Sequence, residues 1–313
     1  MQTTQDPIIK SSELSWYKRS QVSSASPYEN ILFEKDRWDF LPELLPFNHH
    51  PLWKIASEQC KRLVTSYGWL MYNMRTVCIE TRIVSPLCYE IIEGKNQITS
   101  NFDFLRIVSQ TLTDESYHTL LSIEGIKGII AHRELPDLEW PELNFSKKYS
   151  VSLSNCTKKW EKEIIQMGMV VASEVLISDY LALIATSETI QPLCRRVTNT
   201  HWRDELAHAN IFRLIAKKVI SQFEPLQKEF FIECIINASK WFSDKEFATW
   251  EVILSFIGTP GAREIISDSM NNKEKHKNSL ADIKIMTLIN MLRDAKDVCR
   301  VYALPLCELG SQQ

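Results

Sequence analysis

The sequence predicts an all-α protein built on a helical bundle. Apolar residues recur at three- and four-residue spacing through most of the chain after Pro51, and strand-like alternation is scarce. Only 8 glycines occur in 313 residues, too few for a turn-rich β protein or a doubly wound fold full of glycine loops.

Residues 1–50 read as an irregular but ordered arm: serine-rich first, then "FEKDRWDFLPELLPFNHHP", whose aromatic residues and prolines suit packing on a core. From Pro51 the helical period runs through "LWKIASEQCKRLVTSYGWLMYNMRTVCIETRIV" until Pro86 ends or kinks it. Further helices are expected over roughly 102–123, 157–185 and 187–220, which with the first make a bundle core over 51–220. Additional helices over about 224–242, 244–257 and 279–304 follow it in 221–313. The segment "SMNNKEKHKNS" reads as a charged, solvated loop. No low-complexity linker divides the chain, so one domain over 1–313 is expected.

The formal charge of −3 suggests no nucleic-acid partner and no anionic membrane surface. The N-terminus lacks the apolar stretch of a secretory signal, and no run approaches the ~20 apolar residues of a membrane span. The 8 cysteines are scattered without a C-x-x-C pair, which fits buried, reduced thiols and a cytoplasmic location.

The chemistry lies in acids placed where core residues belong. Glu174 sits in "MGMVVASEVLIS", with Val170, Val171, Ile177 and Leu181 around it on the helix, and Glu80 sits in "TVCIETRIV" beside Ile83 and Val84. A buried carboxylate is costly unless it is protonated, paired or bound to a cation. The string D-E-x-x-H then occurs twice, as "DESYH" (Asp114, Glu115, His118) and "DELAH" (Asp204, Glu205, His208). One Glu from each of two helices and one Glu-x-x-His from each of two others is the ligand pattern of a ferritin-like di-metal four-helix bundle. Four glutamates balance two divalent cations, which removes the cost of burying them. Asp114 and Asp204 each stand four residues before a ligand histidine. Each is expected to accept the N–H of a metal-bound imidazole.

His201 adds a third imidazole. In "HWRDELAH", His201, Glu205 and His208 fall on one helical face. With this residue the chain resembles the di-iron N-oxygenases of the p-aminobenzoate N-oxygenase type, whose pattern is a Glu, an E-x-x-H, a Glu and an H-x-x-x-E-x-x-H. Glu80, Glu115, His118, Glu174, His201, Glu205 and His208 fill all seven positions. The motifs span about residues 50–220, and the length match covers the whole chain. The resemblance implies two iron ions, or manganese with the same ligand set, and O₂ as co-substrate. It implies oxidation of a primary amine to a hydroxylamine and onward to nitroso or nitro, in secondary-metabolite biosynthesis. An external electron donor and a homodimer come with it.

The resemblance also implies substrate residues. Tyr72 and Arg75, eight and five residues before Glu80, stand where relatives would anchor a carboxylate, and the guanidinium fork suits that task. Asp179, five residues after Glu174, departs from the neutral side chain expected beside an aminobenzoate. It would repel a carboxylate or pair with Arg75. An amino-acid-derived amine, free or tethered to a carrier protein, therefore competes with an aryl amine. Two other readings stay open: an iron-handling or storage protein on the same fold, disfavoured by His201 and the long arm, and a non-catalytic bundle scaffold, disfavoured by seven retained ligands.

Overall fold

The computed structural model describes residues 15, 16, 18–23, 31–95, 101–271 and 280–294. Among these, regular structure is helical throughout, save one isolated parallel bridge between Trp38 and Ile190. The helices are α1 (Pro51–Lys54), α2 (Glu58–Ile79), α3 (Ser85–Ile92), α4 (Phe102–Arg133), α5 (Asn144–Asn155), α6 (Lys159–Thr186), α7 (Pro192–Ile220), α8 (Pro225–Phe242), α9 (Phe247–Ile257), α10 (Ala262–Asn271) and α11 (Leu280–Asp294).

Local chemistry sets many of the boundaries. Ser57 caps α2 by accepting from the Cys60 N–H, and Asn101 caps α4 by accepting from Phe104. The Glu161 carboxylate reaches back to the Lys158 N–H at the start of α6. Prolines open α7 and α8, where their missing N–H costs nothing. Helix α4 ends at Glu134 in the left-handed conformation, φ 52°.

Helix α2 ends at Ile79, before Pro86. Glu80–Val84 widen into one π-helical turn, with the Ser85 N–H bonded back to the Glu80 carbonyl, and α3 restarts with Pro86 in its first turn. The widened turn carries Glu80 itself, and such turns concentrate at functional sites.

The core pairs α6 with α7 and α2 with α4, with α4 against α7 closing the bundle; α8 packs on the outer side of α6. The buried apolar residues form one contiguous cluster. Residues 31–50 lie against this core. Phe47 and Leu45 are buried, and the buried Asp39 carboxylate accepts from Arg133 and from Ser66.

Four differences from the sequence reading have physical causes. Helix α4 runs to Arg133 instead of ending near 123, because Gly125 and Gly128 are close-packing positions inside it. A Cβ would lie 3.1 Å from Trp69 at Gly125 and 2.6 Å from Leu193 at Gly128. Trp69 donates to the Gly125 carbonyl at 3.0 Å across that contact. Helix α5 was not expected; its serine-rich sequence has a weak period, yet Phe145 and Tyr149 are buried. Helix α10 takes Ser269–Asn271 out of the expected loop, whose residues 272–279 lie outside the described set, as does 295–304 of the last expected helix. Finally, α6 is by length and composition apolar enough to cross a membrane, contrary to the expectation that no run is. Most of it is buried within the protein, which accounts for its composition.

Candidate metal centre

All seven residues singled out in the sequence converge inside the bundle. Glu80 comes from the π turn after α2, Glu115 and His118 from α4, Glu174 from α6, and His201, Glu205 and His208 from α7. None is more than 3% exposed. Their donor atoms gather in overlapping groups: Glu80, His118, His201 and Glu205; Glu115, His118, Glu205 and His208; Glu80, Glu115 and Glu174.

The two E-x-x-H histidines face inward through Nδ1. That atom of His118 lies 2.9 Å from Glu115 Oε2 and 3.3 Å from Glu205 Oε1. In His208 it lies 3.0 Å from Glu115 Oε1 and 3.3 Å from Glu205 Oε1. His201 faces inward through Nε2, 3.0 Å from Glu205 Oε1 and 3.8 Å from Glu80 Oε1, its ring centroid 3.9 Å from that of His118.

Burial and crowding split the protonation states. Glu80 and Glu174 are pushed well above the ordinary carboxylate range, first by burial and then by neighbouring carboxylates. Burial would also raise Glu115, but the facing imidazoles outweigh it and bring that group down to about 2. Glu205 is driven well down in the same way, His208 leading and His118 and His201 adding hydrogen bonds. Burial would lower His118 and His208, but their carboxylate partners hold both well above 6.5. His201 goes the other way, lowered by burial and by His118. In the metal-free site the charged form is thus favoured at Glu115, Glu205, His118 and His208, and the protonated form at Glu80 and Glu174.

The residues fit a di-metal site. Glu80 Oε2, Glu174 Oε2 and Glu205 Oε2 are buried oxygens with no hydrogen-bond partner among the described residues. Divalent cations satisfy such oxygens and displace the protons together. The donor set, oxygen-rich with three imidazoles, suits iron or manganese.

The two aspartates lie outside this ring, both fully buried. The sequence left open which imidazole each would serve, and the tertiary structure crosses them. Asp114 Oδ2 on α4 is 3.2 Å from Nε2 of His208 on α7, and Asp204 Oδ2 on α7 is 3.4 Å from Nε2 of His118 on α4.

The expected substrate residues separate. Tyr72 is packed between Trp69 and Phe40, and its hydroxyl is buried without a partner among the described residues. Burial raises its pKa, with Glu205 and Glu80 adding to the shift and Arg75 opposing it, so it stays a phenol. Arg75 donates through Nη2 to the Phe242 carbonyl and stacks between the rings of Phe145 and Phe242. Burial lowers its pKa against the attraction of Glu246 and Asp244. Its Nε has no partner among the described residues. Asp179 does not pair with Arg75: it accepts from Lys284 Nζ of α11 at 2.7 Å. Five helical positions turn it about 140° from Glu174, toward the half-exposed side where α11 lies.

The sequence reading missed the arm's part in the site. Trp16 and Ser20 donate to Asp114, the Gln21 N–H points at Asp204, and Arg19 lies within ion-pair distance of both. "SWYKRSQ" has no motif or period that announces this; only the closeness in space of Asp114 and Asp204 reveals it.

Comparison of the sequence with known proteins points to the same class of chemistry. The family model for p-aminobenzoate N-oxygenase AurF matches residues 2–293. The 4-aminobenzoate N-oxygenase of Streptomyces thioluteus is 28% identical over 233 residues, covering 74% of this chain and 69% of that protein. With the matched region spanning the helical core and the buried Glu/His cluster inside it, the chain belongs to the p-aminobenzoate N-oxygenase family, and is an N-oxygenase of the oxidoreductase class.

Proposed function

We propose that this chain is a non-haem di-iron oxygenase that uses O₂ to oxidise a primary amine to a hydroxylamine, and onward to nitroso or nitro, in secondary-metabolite biosynthesis. The observation that carries this is the convergence of Glu80, Glu115, His118, Glu174, His201, Glu205 and His208 on one buried point of a family N-oxygenase. In this reading those seven residues hold two iron ions, and the metal pair supplies the activation of O₂. The protein's share is positional. The four helices fix the donors in a dry interior, where a carboxylate-rich shell neutralises the cations and the amine nitrogen is presented at short range.

The substrate in this reading is an aryl amine or an amino-acid-derived amine. An aromatic amine bearing a carboxylate is supported by the relative's name, by the buried Tyr72 hydroxyl and Arg75 Nε, neither of which has a partner among the described residues, and by Lys284, which pairs with Asp179. A substrate without a free carboxylate, such as a carrier-tethered aminoacyl group, is favoured by a different observation. Arg75 is already engaged with the Phe242 carbonyl and attracted by Glu246 and Asp244. An external electron donor, a homodimer and a cytoplasmic location complete the proposal.

The test is one preparation. Iron per chain is measured, the protein is reduced and exposed to O₂, and aryl amines, free amino-acid amines and carrier-bound aminoacyl groups are offered in turn. About two irons per chain and a hydroxylamine, nitroso or nitro product are expected; ferric mineral in a large assembly with no oxidised amine would replace this reading with iron storage. Arg75→Leu then discriminates between substrates. A carboxylate anchor predicts a KM raised about tenfold to a hundredfold, as for loss of a charged hydrogen bond. A structural role predicts a lower thermal midpoint with KM unchanged.

A further inference from the structure

In the N-terminal segment the Ser20 N–H donates to the Trp16 carbonyl at 2.9 Å. The 3-10 turn that follows, Gln21–Ser23, packs against both α4 and α7. The segment makes polar contacts with both Asp114 and Asp204. Trp16 Nε1 donates to both oxygens of Asp114, at 3.0 and 2.9 Å, and Ser20 Oγ donates to Oδ1 at 2.6 Å. The Gln21 N–H points at Asp204, 3.3 and 3.4 Å from its two oxygens. Arg19 Nη1 lies between the two carboxylates, 3.9 Å from Asp114 and 3.8 Å from Asp204. Among the described residues it is the one Lys or Arg within ion-pair distance of either.

The geometry points to a positioning clamp: the N-terminal segment, with Arg19 at its centre, locks Asp114 and Asp204 and through them the imidazoles of His208 and His118. This rests on the di-metal reading above. The physical argument has two parts. Asp114 and Asp204 are fully buried and lie 3.2 and 3.4 Å from the metal-facing imidazoles, outside the four glutamates that two divalent cations would balance. Arg19 supplies a positive charge within 4 Å of both, and the indole, hydroxyl and amide donors point at their oxygens. Secondly, each aspartate can orient an imidazole only if it cannot itself rotate. Donors from a single segment fix both at once, so the two halves of the metal site share one restraint from outside the bundle.

Linkage makes this testable without turnover. If the clamp favours the metal-bound arrangement, bound metal must stabilise the clamp by the same factor. The experiment uses the full chain, metal-free and loaded anaerobically with Fe(II) or with Mn(II). Hydrogen exchange is followed over residues 15–23, and release of Fe(II) to a chelator is timed for wild type, Arg19→Met, Arg19→Lys and Ser20→Ala. Metal is expected to slow exchange in the segment. Arg19→Met is expected to release iron about tenfold faster, at the low end of the 10–100-fold typical of residues that orient metal ligands, and Arg19→Lys to restore much of the difference. Should Arg19→Met fail to fold, the wild-type exchange comparison decides alone. Wild-type protein that holds two metals, yet exchanges over 15–23 identically with and without them, overturns the clamp and leaves the metal site standing. Iron release from Arg19→Met at the wild-type rate does the same. Wild-type protein that holds no metal overturns the metal-site reading and the clamp with it.

Discussion

The carboxylate of Asp114 lies 3.2 Å from Nε2 of His208, a histidine on a different helix and 94 residues away. Asp204 mirrors it on His118. Each E-x-x-H helix therefore also carries the aspartate that faces the other helix's histidine. Asp114→Asn is expected to weaken metal retention about 10–100-fold, the usual cost of losing such a partner. Chelator competition on the purified variant measures it, and retention equal to wild type would show that the contact orients nothing.

Glu80 and Glu174 carry the clearest strain of the metal-free site, both raised far above an ordinary carboxylate. Replacing either by Ala removes a ligand and also its desolvation cost. The variants are expected to fold with an unchanged or higher thermal midpoint in metal-free form, to bind fewer than two metals, and to lose amine oxidation. A variant that keeps two metals and full turnover would remove that residue from the ligand set.

His201 is held neutral by burial and by His118, and faces Glu205 and Glu80. A neutral donor completes a coordination sphere without changing its charge. His201→Ala is expected to retain most of its iron and lose amine oxidation by about two orders of magnitude or more, the scale of one misplaced reacting group. Iron content and turnover per folded site, measured on one preparation, check this. Unchanged turnover with lowered stability would make His201 a packing residue.

Protons and metals compete for the same atoms. His118 and His208 have folded pKa values raised above 6.5, so in the metal-free protein their stabilisation is complete below 6.5 and is lost as pH climbs through the folded values. Glu80 and Glu174, also raised, push the same way above their ordinary value of 4.5. Above pH 6.5 Glu115 and Glu205 are ionised in both folded and unfolded states and contribute no slope. The metal-free protein should therefore lose thermal stability as pH rises above 6.5, while apparent metal affinity rises. Thermal scans with and without Mn(II), and acid release into weakly buffered solution on metal addition, test both halves. A metal affinity independent of pH would contradict the assigned protonation states.

The sequence by itself determined the helical class, the bundle core and the set of seven inward residues, because each rests on local periodicity. Three- and four-residue spacing fixes which side chains share a face, and an acid on an apolar face has few affordable fates. His201 was legible for the same reason, standing one turn before Glu205. Periodicity also placed Tyr72, Arg75 and Asp179 on known helices, but not their neighbours. Arg75 meets Phe145, Phe242 and Glu246 only because α5 and α8–α9 return to α2, and Asp179 meets Lys284 only because α11 docks beside α6. The length of α4 depended on Trp69 and Leu193 filling the space over Gly125 and Gly128. The crossed Asp–His pairs and the arm's grip on them were decided by tertiary structure alone. Those contacts join groups 86 to 98 residues apart in the chain, or farther, and a hydrogen bond between distant segments leaves no period in the sequence that carries it.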